Sequence, residues 1–195
     1  MYQETKTQAS TQLLTITFIL NQKMFTYSKN LKTIFVFVDG LGIGSDDPER
    51  NPLLDPRYPI LGKLISQATS IDACLGMSGN PQSATGQATL LTGVNAAEAM
   101  GRHIEGFPPA RLKDLIQQEN LFSKLQQLEK SCTFANCYLN IDPFEIPLRR
   151  QSVTTVMTLS ALGKVRSTAD LQKGKAVTHD ITRWSMYERG YQGDL

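Results

Sequence analysis

The stretch Thr33-Ile34-Phe35-Val36-Phe37-Val38-Asp39-Gly40 carries the strongest fold signal in this 195-residue chain. Its first six residues are all β-branched or aromatic, without a break. Such a run is typical of a strand buried on both faces, as in a parallel sheet that is covered by helices. Asp39 and Gly40 end the run, and the glycines that follow predict a tight loop.

Segments with strand and helix patterns alternate after this run. Helices are predicted over 60–67, from 87 onward after a loop at 79–86, and over 111–119, 121–130 and 153–162. Further strands are predicted over 70–75 and 132–139. The alternation predicts an α/β fold, with a mostly parallel sheet flanked by helices. The polar end of the chain, 186–195, contains no predicted element.

The chain is predicted to have three parts. Residues 1–30 form an N-terminal extension, interpreted as an extra β-strand, as a disordered tail, or as residues that precede a true start at Met24. Residues 31–140 form the main α/β segment, and residues 141–195 form a connecting or accessory segment that is truncated. The extension contains an apolar run, 13–20, but little positive charge precedes it, which disfavours a secretory signal.

Composition excludes several classes of function. Lys and Arg total 20 against 18 Asp and Glu, a net charge of +2, so no basic excess indicates a nucleic-acid partner. No apolar stretch reaches the roughly 20 residues of a membrane helix. Three cysteines cannot all pair within the chain, which fits a reducing compartment. A cytoplasmic protein with no membrane partner is therefore expected.

Asp39 is the first candidate functional residue. A carboxylate that follows a buried strand lies at the carboxyl edge of the sheet, where open α/β folds bind their ligands. The alternative is that Asp39 only forms a turn. The spacing of the glycines at 40, 42 and 44 does not fit the dinucleotide-binding pattern. A phosphate-binding P-loop does not fit either, because no Gly-Lys pair follows. Phosphate or nucleotide binding by this loop is a weaker alternative.

The stretch 81–93, Pro-Gln-Ser-Ala-Thr-Gly-Gln-Ala-Thr-Leu-Leu-Thr-Gly, is the second candidate. It places the hydroxyls of Ser83 and Thr85 on a loop that runs into a helix. The start of a helix offers free N–H groups and a positive dipole end, which favour a phosphorylated hydroxyl. The alternative is that Ser83 or Thr85 is an ordinary N-cap.

Together these motifs resemble the alkaline phosphatase superfamily of metalloenzymes. The resemblance rests on Val38-Asp39-Gly40 and on Ser83, which lies ten positions before Gly93. It extends through Gly101-Arg102-His103 and Gly106-Phe107-Pro108. It is closest to bacterial metalloenzymes similar to cofactor-independent phosphoglycerate mutases. The superfamily also includes nucleotide phosphodiesterases and sulfatases.

The resemblance implies phosphoryl transfer at a site with two divalent metals, Mn²⁺ or Zn²⁺. Asp39 and Ser83 would bind metal, and Ser83 would attack phosphorus, with Thr85 as the second candidate nucleophile. The substrate would be a small phosphate ester, and phosphatase, phosphodiesterase and phosphomutase chemistry remain open. Three further residues would line or brace the pocket: Asn95, Arg102 and His103.

The chain lacks most of the metal ligands that the family uses. It has only two histidines, His103 and His179, and no Asp-His or Asp-x-x-x-His pattern follows residue 108. The pair His179-Asp180 has the reverse order. The chain is therefore expected to be the N-terminal part of a longer enzyme, which self-associates or requires a missing C-terminal half. The alternative function is a catalytically inactive fragment or interaction module.

Overall fold

A computed structural model of the chain describes residues 32–139 and 146–193, together with the backbone of residues 12–13 and 16–18. The chain forms two compact units, Met1–Pro81 and Gln82–Leu195. The division falls inside residues 31–140, the main α/β segment of the sequence analysis. Most of the predicted N-terminal extension, 1–30, lies outside the described residues.

Short antiparallel strand pairs characterise the first unit. Its strands are β1 (Gln12–Leu13), β2 (Ile16–Phe18), β3 (Ile34–Val36) and β4 (Gly42–Ile43). Strand β2 pairs with β3, and β1 pairs with β4, both in antiparallel orientation.

Strand β3 corrects the prediction of a long strand buried on both faces. It spans three residues rather than six, and its side chains remain 39–54% exposed. An apolar run reveals a tendency to form a strand but not the presence of a covering layer. An antiparallel pair, unlike a parallel sheet, tolerates such contact with solvent.

Helix α1 (Pro59–Ser66) confirms the helix predicted over 60–67. Pro59 is its first residue, where the missing N–H and the fixed φ of proline are favourable. Asn51 stabilises the first half of the loop between β4 and α1. The Asn51 amide donates to the Ser45 carbonyl at 2.8 Å and accepts from the Leu53 N–H at 3.1 Å.

The strand predicted over 70–75 is wrong, because this segment forms turns. The Asp72 carboxylate accepts hydrogen bonds from the N–H groups of Cys74, at 2.8 Å, and Gly76, at 2.9 Å. Leu75 and Gly76 both adopt positive φ, 57° and 72°. Two consecutive left-handed residues are incompatible with a strand, and a side-chain carboxylate that binds its own backbone favours a turn instead.

The second unit is mainly helical. Its helices and strands, in chain order, are α2 (Ser83–Thr92), α3 (Ala96–Met100), α4 (Ala110–Gln118), α5 (Leu121–Gln127), β5 (Cys137–Tyr138), α6 (Val153–Leu162), β6 (Arg166–Ser167), α7 (Thr168–Gln172) and α8 (Trp184–Glu188). Helix α6 confirms the prediction over 153–162, and α4 and α5 confirm two others. The end of the chain contains α8, where no element is predicted.

The core of this unit is formed by helices packed on helices. Leu112 and Ile116, one turn apart on α4, are fully buried against Val153, Val156 and Met157 of α6 in the same cluster. Helix α2 contributes alanines, whose small side chains allow close approach. The apolar period of α4 thus explains why it packs on α6.

Parallel pairing is limited in the described residues of this unit. Strands β5 and β6 pair in parallel over two residues each, and Asn136 forms one further parallel bridge with Val177. The fold is therefore mixed helix and strand, as predicted. The expectation of a mostly parallel sheet is wrong for the described residues, where two of the three strand pairs are antiparallel. None of the described helices is both long and apolar enough to cross a membrane.

Candidate functional site

Ser83 is the first residue of α2. The residue before it, Gln82, is extended, with φ −130° and ψ 151°, and occupies the N-cap position without a side-chain capping bond. The helix therefore begins four residues earlier than predicted, and neither Ser83 nor Thr85 is the N-cap. Ser83 is half-buried. Its hydroxyl lies at the start of a ten-residue helix, where the helix dipole favours negative charge.

The first turn of α2 is closed by a distant carbonyl of the same unit. The Ile104 carbonyl accepts from the N–H of Ala84 at 3.0 Å and from the N–H of Thr85 at 3.4 Å. In return, the Ile104 N–H donates to Thr85 Oγ1 at 3.2 Å. The expectation of free N–H groups at this helix start is therefore wrong for these two residues, because the chain itself supplies their acceptor.

Thr85 is fully buried, unlike Ser83. Its hydroxyl donates to the Gln82 carbonyl at 3.3 Å while it accepts from Ile104. The Thr85 hydroxyl thus both donates and accepts a hydrogen bond within the protein. Of the two candidate nucleophiles, Ser83 is the one that is partly exposed to solvent.

Asn95 connects the end of α2 to the start of α3. Helix α2 ends at Gly93, which adopts φ 79°, a left-handed conformation that glycine accepts without strain. The Asn95 carboxamide then accepts from the Glu98 N–H at 3.2 Å and caps α3. The Thr89 hydroxyl also accepts from the Ala96 N–H at 2.9 Å. This places Asn95 in a capping role, which the string Leu-Thr-Gly-Val-Asn itself encodes.

Arg102 and His103 lie between α3 and the Ile104 contact. The Arg102 N–H donates to the Ala97 carbonyl at 3.0 Å, and its side chain is exposed. His103 is half-buried, but both of its ring nitrogens are covered by protein atoms. Neither nitrogen has a hydrogen-bond partner among the residues that the structure describes.

Asp39 lies in the first unit, in the turn that follows β3, and is exposed. The Leu41 N–H donates to the Val38 carbonyl at 3.4 Å and closes this turn. Asp39 and Ser83 therefore belong to different compact units. The turn places the carboxylate three residues beyond the end of β3, which is the carboxyl end of that strand.

The described residues contain no group of three or more His, Cys, Asp and Glu side chains that could hold a metal ion. Two-metal sites need more ligands than this. No assembled two-metal centre of the kind that the resemblance implies is present among the described residues. Asp39 and Ser83 remain single candidate ligands.

The His179-Asp180 pair has other roles. The His179 ring packs edge-on against Tyr138, with centroids 5.1 Å apart. Burial, with a smaller contribution from the Arg189 charge, lowers the pKa of His179. The Asp180 carboxylate accepts from the Ser185 hydroxyl and from the Thr182 hydroxyl, both at 2.6 Å, and these bonds lower its pKa to about 2. Asp180 thus closes the turn before α8.

A hydroxyl cluster at the start of α6 is a feature that sequence analysis missed. Tyr138 Oη lies 2.6 Å from Thr155 Oγ1, which lies 2.8 Å from Ser152 Oγ. Ser152 also caps α6, because its Oγ accepts from the Thr155 N–H at 3.3 Å. Burial raises the pKa of the Tyr138 phenol. The pattern Ser-Val-Thr-Thr signals the cap, but no local signal indicates that Tyr138 joins it.

Comparison with known proteins adds no relative. Scans against models of protein families, against curated proteins and against solved structures found nothing that matches this chain. Function therefore has to be argued from the motifs and from the geometry around α2.

Proposed function

We propose that this chain performs phosphoryl transfer of the phosphatase or phosphomutase type, with the Ser83 hydroxyl as the nucleophile. The observation that carries the proposal is the position of Ser83 as the half-buried first residue of α2. The similarity of the surrounding motifs to the alkaline phosphatase superfamily supports it. An alkaline-phosphatase-like arrangement of the whole enzyme is part of the same proposal.

The reaction proceeds in two steps. The bond from Ser83 Oγ to phosphorus forms while the bond from phosphorus to the leaving alcohol breaks, and the serine proton ends on that alcohol. Water or a second hydroxyl then attacks the phosphoserine and restores Ser83. A covalent intermediate divides one difficult displacement into two easier ones.

The residues around Ser83 support its role as the nucleophile. The dipole of α2 favours the negative charge that develops at its first residue. The Ile104 carbonyl opposes part of this effect, because it accepts from the next two N–H groups. Thr85 acts as a positioning residue, since its hydroxyl bonds both Gln82, which precedes Ser83, and Ile104.

A divalent metal, Mn²⁺ or Zn²⁺, is the proposed cofactor, and Asp39 and Ser83 are each a candidate ligand within their own unit. Asp39→Ala is expected to weaken Mn²⁺ binding by the full chain, measured by elemental analysis and calorimetry. Unchanged Mn²⁺ binding in this variant would exclude Asp39 from the ligands without touching the role of Ser83.

The decisive experiment looks for a phosphoenzyme. The purified full chain is incubated with a reactive small phosphate ester, with added Mn²⁺ or Zn²⁺, and intact-mass spectrometry detects an attached phosphoryl group. Ser83→Ala is expected to abolish it, and Ser78→Ala, a change at an exposed serine of the first unit, is the matched control. Absence of a phosphoenzyme in every condition would favour the second candidate, a non-catalytic interaction module. The lack of a described three-ligand group is the observation that favours that candidate.

A further inference from the structure

Large apolar side chains are exposed in α8 and in the turn before it. Ile181 is 93% exposed, Trp184 63% and Tyr187 44%. Met186 of the same helix is buried in a small core cluster, which attaches α8 to the second unit. Exposed apolar residues scattered singly need no explanation, whereas a group of three, two of them aromatic, indicates an interaction surface. We call these three exposed side chains the α8 surface.

The turn that carries Ile181 is fixed by hydrogen bonds within the chain. The Asp180 carboxylate accepts from the Thr182 and Ser185 hydroxyls, both at 2.6 Å, and from the Ser185 N–H at 3.3 Å. These bonds join the chain before Ile181 to the first turn of α8. A surface that is ordered before its partner arrives binds with a smaller loss of conformational entropy.

Positive charge is concentrated in the segment that contains the α8 surface. Residues 164–189 include six Lys and Arg and three Asp and Glu, an excess of three cations, whereas the whole chain has a net charge of +2. None of these six cations forms an ion pair with a described residue. The carboxylates, in contrast, accept hydrogen bonds inside the segment, as Asp170 and Asp180 do from neighbouring residues and Glu188 does from the Trp184 indole N–H at 2.8 Å. The segment therefore offers unpaired cations to an acidic partner.

We propose that the α8 surface binds an acidic segment of a protein partner that also carries apolar side chains. Carboxylates of the partner pair with Arg183 and Arg189, which are both exposed and lie on either side of α8 in the sequence. Arginine binds a carboxylate through two parallel hydrogen bonds. Apolar side chains of the partner cover Trp184 and its neighbours, and Trp, Tyr and Arg are the residues that most often dominate protein–protein binding energy. The inference goes beyond phosphoryl transfer and does not depend on it.

Nucleic acid and anionic lipid also carry negative charge, but they fit the α8 surface less well. Ile181, the most exposed of its residues, offers no ring on which a base stacks. A bilayer presents negative charge everywhere, so it repels Glu188 beside Trp184, whereas a peptide places its carboxylates only opposite the arginines. Helix α8 has five residues, which is shorter than the helices that lie in a membrane interface.

Trp184 is the only tryptophan of the sequence, so its fluorescence reports on the α8 surface alone. A short tryptophan-free peptide of glutamate and leucine is titrated into the full chain, with a peptide of lysine and leucine as the control. The acidic peptide is expected to shift the Trp184 emission to shorter wavelength with saturation, and to protect the indole from acrylamide. Added salt is expected to weaken this binding, and the basic peptide is expected to leave the emission unchanged.

Matched variants test the roles of charge and apolar contact. Replacing both Arg183→Gln and Arg189→Gln is expected to weaken binding of the acidic peptide about tenfold. Ile181→Ser is expected to weaken it as well, while Arg111→Gln, a change at an exposed arginine of α4, leaves it unchanged. Circular dichroism verifies that the variants fold, which is expected because the replaced side chains are exposed.

Four results would overturn the proposal. The first is no response of Trp184 to the acidic peptide, and the second is an equal response to the acidic and basic peptides. The third is a response to vesicles of phosphatidylcholine and phosphatidylserine, or to oligouridine, that exceeds the response to the peptide, which would assign the surface to lipid or nucleic acid. The fourth is a blue shift that grows with protein concentration in the absence of any probe, which would show that a second copy of the chain covers the surface.

Discussion

The link between Thr85 and Ile104 gives the most informative prediction. Thr85→Val keeps the shape of the fully buried side chain but removes its hydroxyl. The Ile104 N–H, now 3.2 Å from that oxygen, loses its acceptor, and the bond to the Gln82 carbonyl disappears as well. Loss of the acceptor for this partly buried donor costs about 1–3 kcal/mol, so the second unit is expected to lose about 2 kcal/mol of its free energy of unfolding.

Thr85→Ser is the matched variant. It keeps the hydroxyl and removes one methyl group, which costs about 1 kcal/mol in a buried position. The order of stability is therefore expected to be wild type, then Thr85→Ser, then Thr85→Val. Urea denaturation followed by circular dichroism measures this order.

Hydrogen exchange tests the local cause. The Ile104 amide is expected to exchange about 30-fold faster in Thr85→Val, the factor that corresponds to about 2 kcal/mol. If Thr85→Val proves more stable than Thr85→Ser, or the Ile104 amide exchanges at its original rate, the hydroxyl does not hold this segment. Phosphorylation of Ser83 is expected to persist in Thr85→Ser and to slow, without disappearing, in Thr85→Val, because Thr85 positions the start of α2 but is not the nucleophile.

Three further predictions concern the core, a helix end and a turn. Leu112→Ala is expected to lower the free energy of unfolding by about 3 kcal/mol in urea denaturation, whereas Leu128→Ala, at a side chain that is 66% exposed, changes it by less than about 0.5 kcal/mol. Gly93→Ala forces an alanine into a left-handed conformation and is expected to lower the melting temperature. Gly86→Ala, inside α2 with open space at its Cβ position, is expected to raise the melting temperature. The reverse order of melting temperatures would contradict the assigned end of α2. Asp180 has a folded pKa of about 2, below its ordinary value of 3.8, so its contribution is present above about pH 4 and is lost as the pH falls toward 2. Asp180→Asn should flatten the pH dependence of unfolding in that window, and an unchanged slope would contradict the assigned bonds.

Local patterns predicted the helices well. The apolar period at 111–119 and the mixed apolar and threonine segment at 153–162 each lie within one element, so each needs only neighbouring residues to be recognised. Strand β3 and the turn at Asp72 were harder for physical reasons. Whether other residues bury β3 depends on segments far away in the chain. At 72–76, the Asp72 carboxylate competes for backbone N–H groups that a strand would use.

The candidate site was predictable only in part. The hydroxyls of Ser83 and Thr85 are visible in the sequence, but their different roles depend on Ile104, nineteen positions beyond Thr85. No local pattern indicates that a carbonyl at 104 closes α2, or that the nitrogens of His103 are covered. Contacts between distant segments decide such features, and a single sequence does not display them.

The bond between Thr85 and Ile104 also closes a loop of the chain between them, which contains α3 and all of α2 after its first two residues. Closing this loop lowers the conformational entropy of all the residues it contains in a single step. The two helices are therefore expected to open and close as one cooperative segment. A change in the Asn95 cap of α3 is then expected to alter how often the whole loop opens, and with it the first turn of α2 beside Ser83.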